Sequence, residues 1–153
     1  MPANAVADFR QDFAAPIGKI PVSASIIIAA DNVYTLYVNG EKIGTGNNFR
    51  ESQNYCVDLE PGCNNIFAVS VLNEPGAGGV ATPAALITAT SVTYIDGTSS
   101  TIVSDASWRA HSDTAGFQNV NFDDSAWPYA VVVGNANSPP WGVPSLPSNL
   151  CGQ

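Results

Sequence analysis

The sequence predicts an all-β protein, a sandwich or barrel of antiparallel strands, on three observations. Apolar and polar residues alternate with a period of two through most of the chain. No window of a dozen residues carries apolar positions at helical spacing without Gly, Pro or β-branched interruption. Short strand-like runs recur at roughly ten-residue intervals with turn signals between them, the rhythm of a sheet protein. The dipeptide Asn39-Gly40 supplies the positive φ values that a type I′ hairpin turn demands.

Taken in order, Phe9 to Phe13 reads as a first strand, ended by Ala15-Pro16, and Val22 to Ala29 as a second, whose Ile26-Ile27-Ile28 is too apolar for an exposed face. Tyr34, Leu36 and Val38 alternate with Thr35 and Tyr37, and Glu41 to Gly44 returns antiparallel across Asn39-Gly40. After a loop from Thr45 to Asn48, strands are expected near Gln53 to Leu59 and Ile66 to Leu72, separated by Pro61-Gly62. The stretch from Asn73 to Pro83 is too rich in Gly and Pro to be regular. Ala84 to Tyr94 is a long strand, Asp96-Gly97 a turn and Ser99 to Val103 its return, with Val131-Val132-Val133 as the last strand. Residues 1–134 then form the domain. Residues 135–153, with Pro139, Pro140, Pro144 and Pro147, form an extended tail packed along it.

A chain of 153 residues is the size of one ordinary domain and needs no disulfide to fold. Only 12% of its residues are charged while 45% are hydrophobic, so Ser, Thr, Asn and Gly supply much of the surface polarity. Five Lys and Arg against thirteen Asp and Glu leave a formal charge of -8, which repels a phosphate backbone and argues against nucleic acid as a partner. The longest apolar run, Ile26 to Ala30, is far below the roughly 20 residues of a membrane-spanning helix, so no membrane insertion is expected. Met1 to Arg10 has neither a basic nor an apolar signal region. Cysteine usage nevertheless favours a secreted or extracellular setting. Cys56 and Cys63 flank the Glu60-Pro61-Gly62 turn and are read as a disulfide, with two buried thiols as the alternative; Cys151 is left over, free or intermolecular. These cysteines and the single His111 make no zinc spacing.

Several segments together carry a family pattern. Phe9-Arg10-Gln11-Asp12-Phe13, Ser23-Ala24, the run Tyr34 to Gly44, Tyr55 to Leu59, Pro61-Gly62 and Asn64 to Val71 resemble the galactose-binding-like jelly rolls of α-L-rhamnosidases and β-galactosidases. Ser104 to Arg109 and Phe122-Asp123-Asp124-Ser125-Ala126-Trp127 look like two later signatures of the same domains. With Cys56 and Cys63 the chain is especially similar to small stand-alone fungal proteins of this type. The resemblance covers roughly residues 8 to 134. It implies a two-sheet antiparallel β-sandwich with sugar and calcium sites, where present, in loops at one end, and no catalysis, because the glycosidases carry their acid and base on another domain.

The chemistry of the residues agrees. His111 stands alone, and no nucleophile elbow, zinc-protease or phosphate-loop motif is present. Asp123 and Asp124 are expected to accept backbone hydrogen bonds in a turn. Sugars are held by an aromatic face and by planar polar groups that match hydroxyl pairs. The candidates are Asp31, Asn32, Asn48, Arg50, Asn73, Glu74, Arg109 and Trp141. Trp108 and Trp127 read as core or signature residues rather than sugar platforms, and pairing with a carboxylate in the fold is the alternative for Arg109. Calcium through Asp31, Asp123 or Asp124 has only a weak signal, since no D-x-D-x-D-G loop is present. The leading expectation is a non-catalytic, lectin-like protein with a carbohydrate or glycan partner. A self-assembling structural protein, a homo-oligomer through strand edges or tail, is second and a glycosidase third.

Overall fold

The computed structural model describes residues 5–47, 51–62, 64–73 and 85–132. Among them the chain forms β1 (Val6–Phe13), β2 (Pro21–Asp31), β3 (Val33–Val38), β4 (Glu41–Gly46), β5 (Gln53–Asp58), β6 (Asn65–Leu72), β7 (Ala85–Tyr94), β8 (Ser99–Val103) and β9 (Arg109–Ser112). They build two antiparallel sheets, five-stranded in the order β4-β3-β6-β1-β9 and four-stranded in the order β5-β2-β7-β8. The all-β, two-sheet sandwich expected from the period-two pattern is therefore the observed architecture.

Alternation decides which side chains enter the space between the sheets. Ala24, Ile26, Ile28 and Ala30 of β2 point inward and meet Tyr34, Leu36 and Val38 of β3, Phe67, Val69 and Val71 of β6, and Val92 and Tyr94 of β7, with Trp108 closing one side. Asn39 and Gly40 both have positive φ (51° and 84°), which lets β4 fold back on β3 as the Asn-Gly pair predicts. Strand ends differ slightly from the expectation, because ladder partners continue past the apolar residues: β1 starts at Val6 opposite Leu72, and β2 runs on to Asp31 opposite Ala85.

One expected strand does not form among the described residues. Val131 and Val132 are 83% and 60% exposed and belong to no strand, while Val133 lies outside the described residues. The position beside β1 is occupied by β9, which the sequence did not reveal because Arg-Ala-His-Ser has no apolar alternation. The chain near Tyr129 reaches this edge through a single bridge to Arg109, and β-branched propensity without a partner strand makes no sheet.

The outer face of the five-stranded sheet is not open to water. Residues 113–128 lie across it, and Phe117 and Trp127 pack there on Ala68, Tyr37 and Phe122 as a small second core. Arg10 fastens this cover. Its side chain, 2% exposed, donates from Nε to Asp124 Oδ2 (3.0 Å), from Nη1 to the Phe117 and Asn119 carbonyls (2.8 and 3.2 Å), and from Nη2 to the Phe122 carbonyl (3.2 Å). Asp123 accepts the Ser125 N–H at 3.0 Å, the turn role expected of it, while Asp124 is the partner of Arg10.

Two residues along β1, Asp8 is also buried under the cover. Its Oδ2 accepts the Thr114 N–H at 2.7 Å, whereas Oδ1 has no partner at hydrogen-bonding geometry among the described residues, although Ser70 faces Asp8 across the ladder and holds the pKa down somewhat. Burial is the largest influence on this carboxyl and raises its pKa above the usual 3.8. Because the folded pKa is the higher one, the folded state holds this proton after the unfolded chain has lost it, so stability from Asp8 is present in acid and falls as pH rises through the folded pKa. Melts of the parent and of Asp8→Asn between about pH 3 and pH 7 should show that component of the slope only in the parent. Superimposable profiles would refute it.

Candidate functional site

The register places three of the predicted polar residues, Asp31, Asn32 and Asn73, at one end of the sandwich. Asp31 closes β2 and Asn32 leads into β3, joined by a cis peptide bond, and the Asn32 N–H donates to the Leu72 carbonyl at 3.2 Å. Val33 faces Leu72 across the β3–β6 ladder, so Asn73 follows directly beside Asn32, and its own N–H donates to the Ala5 carbonyl at 2.9 Å. Gly46 lies opposite Tyr34, Gln53 opposite Ile28 and Ala85 opposite Asp31. The strand ends that flank residues 47–52 and 73–84 thus all lie at the Asp31 end, a convergence the sequence alone could not establish.

These residues are not equally accessible. Asp31 is 4% exposed and Asn73 is fully buried, whereas Asn32 is half-buried. Desolvation raises the pKa of Asp31, and no described residue donates a hydrogen bond to its carboxylate. Asn48, Arg50, Glu74 and Trp141 lie outside the described residues, as do the tail from residue 135, Cys63 and Cys151. The Cys56–Cys63 pairing therefore lies outside them too.

Behind this end the two sheets are joined by hydroxyls that the sequence reading missed. The Tyr34 hydroxyl donates to Gln53 Oε1 (2.7 Å) and lies 2.9 Å from the Tyr55 hydroxyl, which reaches the Thr45 carbonyl at 3.2 Å. Burial first, and then Tyr55, push the Tyr34 phenol well above its ordinary range, so it stays neutral and acts as a hydrogen-bonding strut. Space for the rings comes from two glycines in β4: a Cβ on Gly44 would meet the Tyr55 ring, and one on Gly46 the Tyr34 ring and Gln53. Glycines two apart in a strand were the available signal.

Arg109 takes a carbonyl and an aromatic ring as its described partners, not the carboxylate of the alternative reading. Its Nη1 donates to the Trp127 carbonyl at 2.8 Å and its guanidinium lies 3.9 Å from the centre of the Tyr129 ring. The register leaves Arg109 at the middle of β1, opposite Arg10, away from the Asp31 end. Trp108 and Trp127 are 3% and 6% exposed, core residues as read. No group of three or more His, Cys, Asp or Glu that could hold a metal ion occurs among the described residues.

Two antiparallel sheets closed over one core, with connections gathered at the strand ends, give this chain a galactose-binding-like jelly-roll fold. No family model matches the chain. It is similar to the lectin of Pleurotus ostreatus solved in complex with GalNAc, at 37% identity and a TM-score of 0.86 over 95% of this chain, and to the apo form of that lectin, at 38% identity and a TM-score of 0.87. It is also similar to the α-L-rhamnosidase of Streptomyces avermitilis solved with L-rhamnose, at 30% identity and a TM-score of 0.76 over 92% of this chain. The chain spans 44% and 42% of the two lectin chains and 14% of the rhamnosidase chain. A curated α-L-rhamnosidase of the same organism is 31% identical over an aligned stretch of 128 positions that covers 78% of this chain and 12% of that protein.

Proposed function

We propose that the chain is a non-catalytic, lectin-like carbohydrate-binding protein. The observation that carries this reading is the likeness to a lectin solved with GalNAc, which runs over 95% of the chain. The rhamnosidases it resembles correspond to it only through a small accessory portion, 12 to 19% of their length. That supports a role in binding and none in bond cleavage. Connections gathered at the strand ends suit recognition of hydroxyl pairs, because such loops can vary without disturbing the core.

The ligand site belongs at the Asp31 end. Asn32 borders it from the described residues, and Arg50, in the connection between β4 and β5, supplies the charge-assisted hydrogen bonds. N-acetylgalactosamine is the first probe. Isothermal titration should give saturable binding to the parent, and Arg50→Ala should weaken it roughly tenfold while the melting temperature stays nearly unchanged. Unchanged affinity in the variant would remove Arg50 from the site. Aryl rhamnosides and galactosides should not be hydrolysed above a buffer blank.

A further inference from the structure

Strand β9 forms one edge of the five-stranded sheet, and residues two apart on a strand project to the same side, so Arg109 and His111 stand next to each other on its face. Each is stacked on an aromatic ring from the returning chain. His111 lies on Trp127, with ring centres 5.1 Å apart and planes inclined by 20°, and the Arg109 guanidinium lies over Tyr129. The two stacks differ in one respect that matters. Trp127 is buried, whereas Tyr129 is 58% exposed and is the one aromatic among the large exposed apolar residues described.

Tyr129 is held by more than its chain neighbours. Its backbone bridges to Arg109, and the following Ala130 N–H donates to the Trp108 carbonyl at 2.7 Å. Arg109 is itself fixed by its hydrogen bond to the Trp127 carbonyl, so the cation lies against one face of a ring that remains 58% exposed. An open, pre-ordered aromatic face beside a planar group with spare N–H donors is suited to a sugar ring, whose C–H face covers the aromatic and whose hydroxyls accept from the rim. Little conformational freedom is left to lose on binding.

We propose that Tyr129 and Arg109 form a second carbohydrate contact, on the side of the sandwich and separate from the Asp31 end, which takes the C–H face of a neutral pyranose. A neutral ring is favoured over an acidic one by the formal charge of -8. The assignment rests on the carbohydrate-binding reading of the whole chain.

The test titrates the intact chain, Tyr129→Ala and Tyr129→Phe with a panel of neutral glycans, and follows the Tyr129 ring protons of the parent by NMR as free sugar is added. The expected result is about a tenfold loss of affinity for at least one glycan in Tyr129→Ala, affinity within about twofold in Tyr129→Phe, and sugar-dependent shifts of the ring protons. If the parent binds glycans but Tyr129→Ala binds them equally, or the ring signals stay still at saturation, the side contact is wrong and binding at the Asp31 end stands. A parent that binds no glycan overturns both.

Discussion

Arg10→Ala lowers the folding stability by about 3 to 5 kcal/mol, the loss expected when one partner of a buried ion pair is removed. The size follows from what is left behind. Asp124, partly buried, loses its cation, and the carbonyls of Phe117, Asn119 and Phe122 lose their donor at once. Asp124→Ala should cost less, since Arg10 keeps its three carbonyl partners. The cover over the outer face also carries Trp127, so tryptophan emission should move to the red in Arg10→Ala at denaturant concentrations where the parent is intact. Urea unfolding of the two variants measures both effects. Equal, small losses would mean that the cover is held by its apolar contacts alone.

Gly46→Ala is the second large effect, about 2 to 3 kcal/mol, from overpacking rather than from a lost bond. A Cβ there would lie 2.6 Å from Gln53 Oε1 and 2.7 Å from Tyr34 Cζ, and neither can retreat without giving up the hydrogen bond between them. Gly44→Ala presses on Tyr55, whose ring is less buried, and should cost less. Thermal melts of the two variants give the comparison. A Gly46→Ala protein as stable as the parent would show that the Tyr34 strut yields easily.

Much of the fold was legible because its causes are local. Asn39-Gly40 dictates a turn by its own dihedral angles, the alternation around Tyr34 and the isoleucines of β2 states which face is buried, and Asp123-Asp124-Ser125 announces its turn through the Asp123 side chain. What stayed hidden depends on residues that meet only in the folded chain. Arg10 and Asp124 are 114 positions apart, and nothing near either marks the other. Val131 and Val132 looked like part of a strand because propensity was visible, whereas the lack of a partner strand for these two among the described residues was not. β9 was overlooked for the opposite reason: pairing with β1 makes it a strand although its side chains do not alternate. The candidate site divides the same way. Asp31, Asn32 and Asn73 were recognisable as polar residues at strand ends, but their meeting at one end of the sandwich is a matter of register, and the burial of Asp31 and Asn73 is a matter of packing. Tyr129 gave no signal at all, since a tyrosine after Pro128 reads as easily inside as out.

The central claim, a chain that binds carbohydrate without cleaving it, is tested most directly by presenting the intact protein to a broad glycan array with free-sugar competition, and assaying the same preparation for release of reducing ends. The predicted result is saturable binding to neutral glycans that free sugar displaces, with no release above the blank. A folded preparation, shown to be so by a cooperative melt, that binds nothing on the array, or that releases sugar and stops doing so when one carboxylate is replaced, would contradict it.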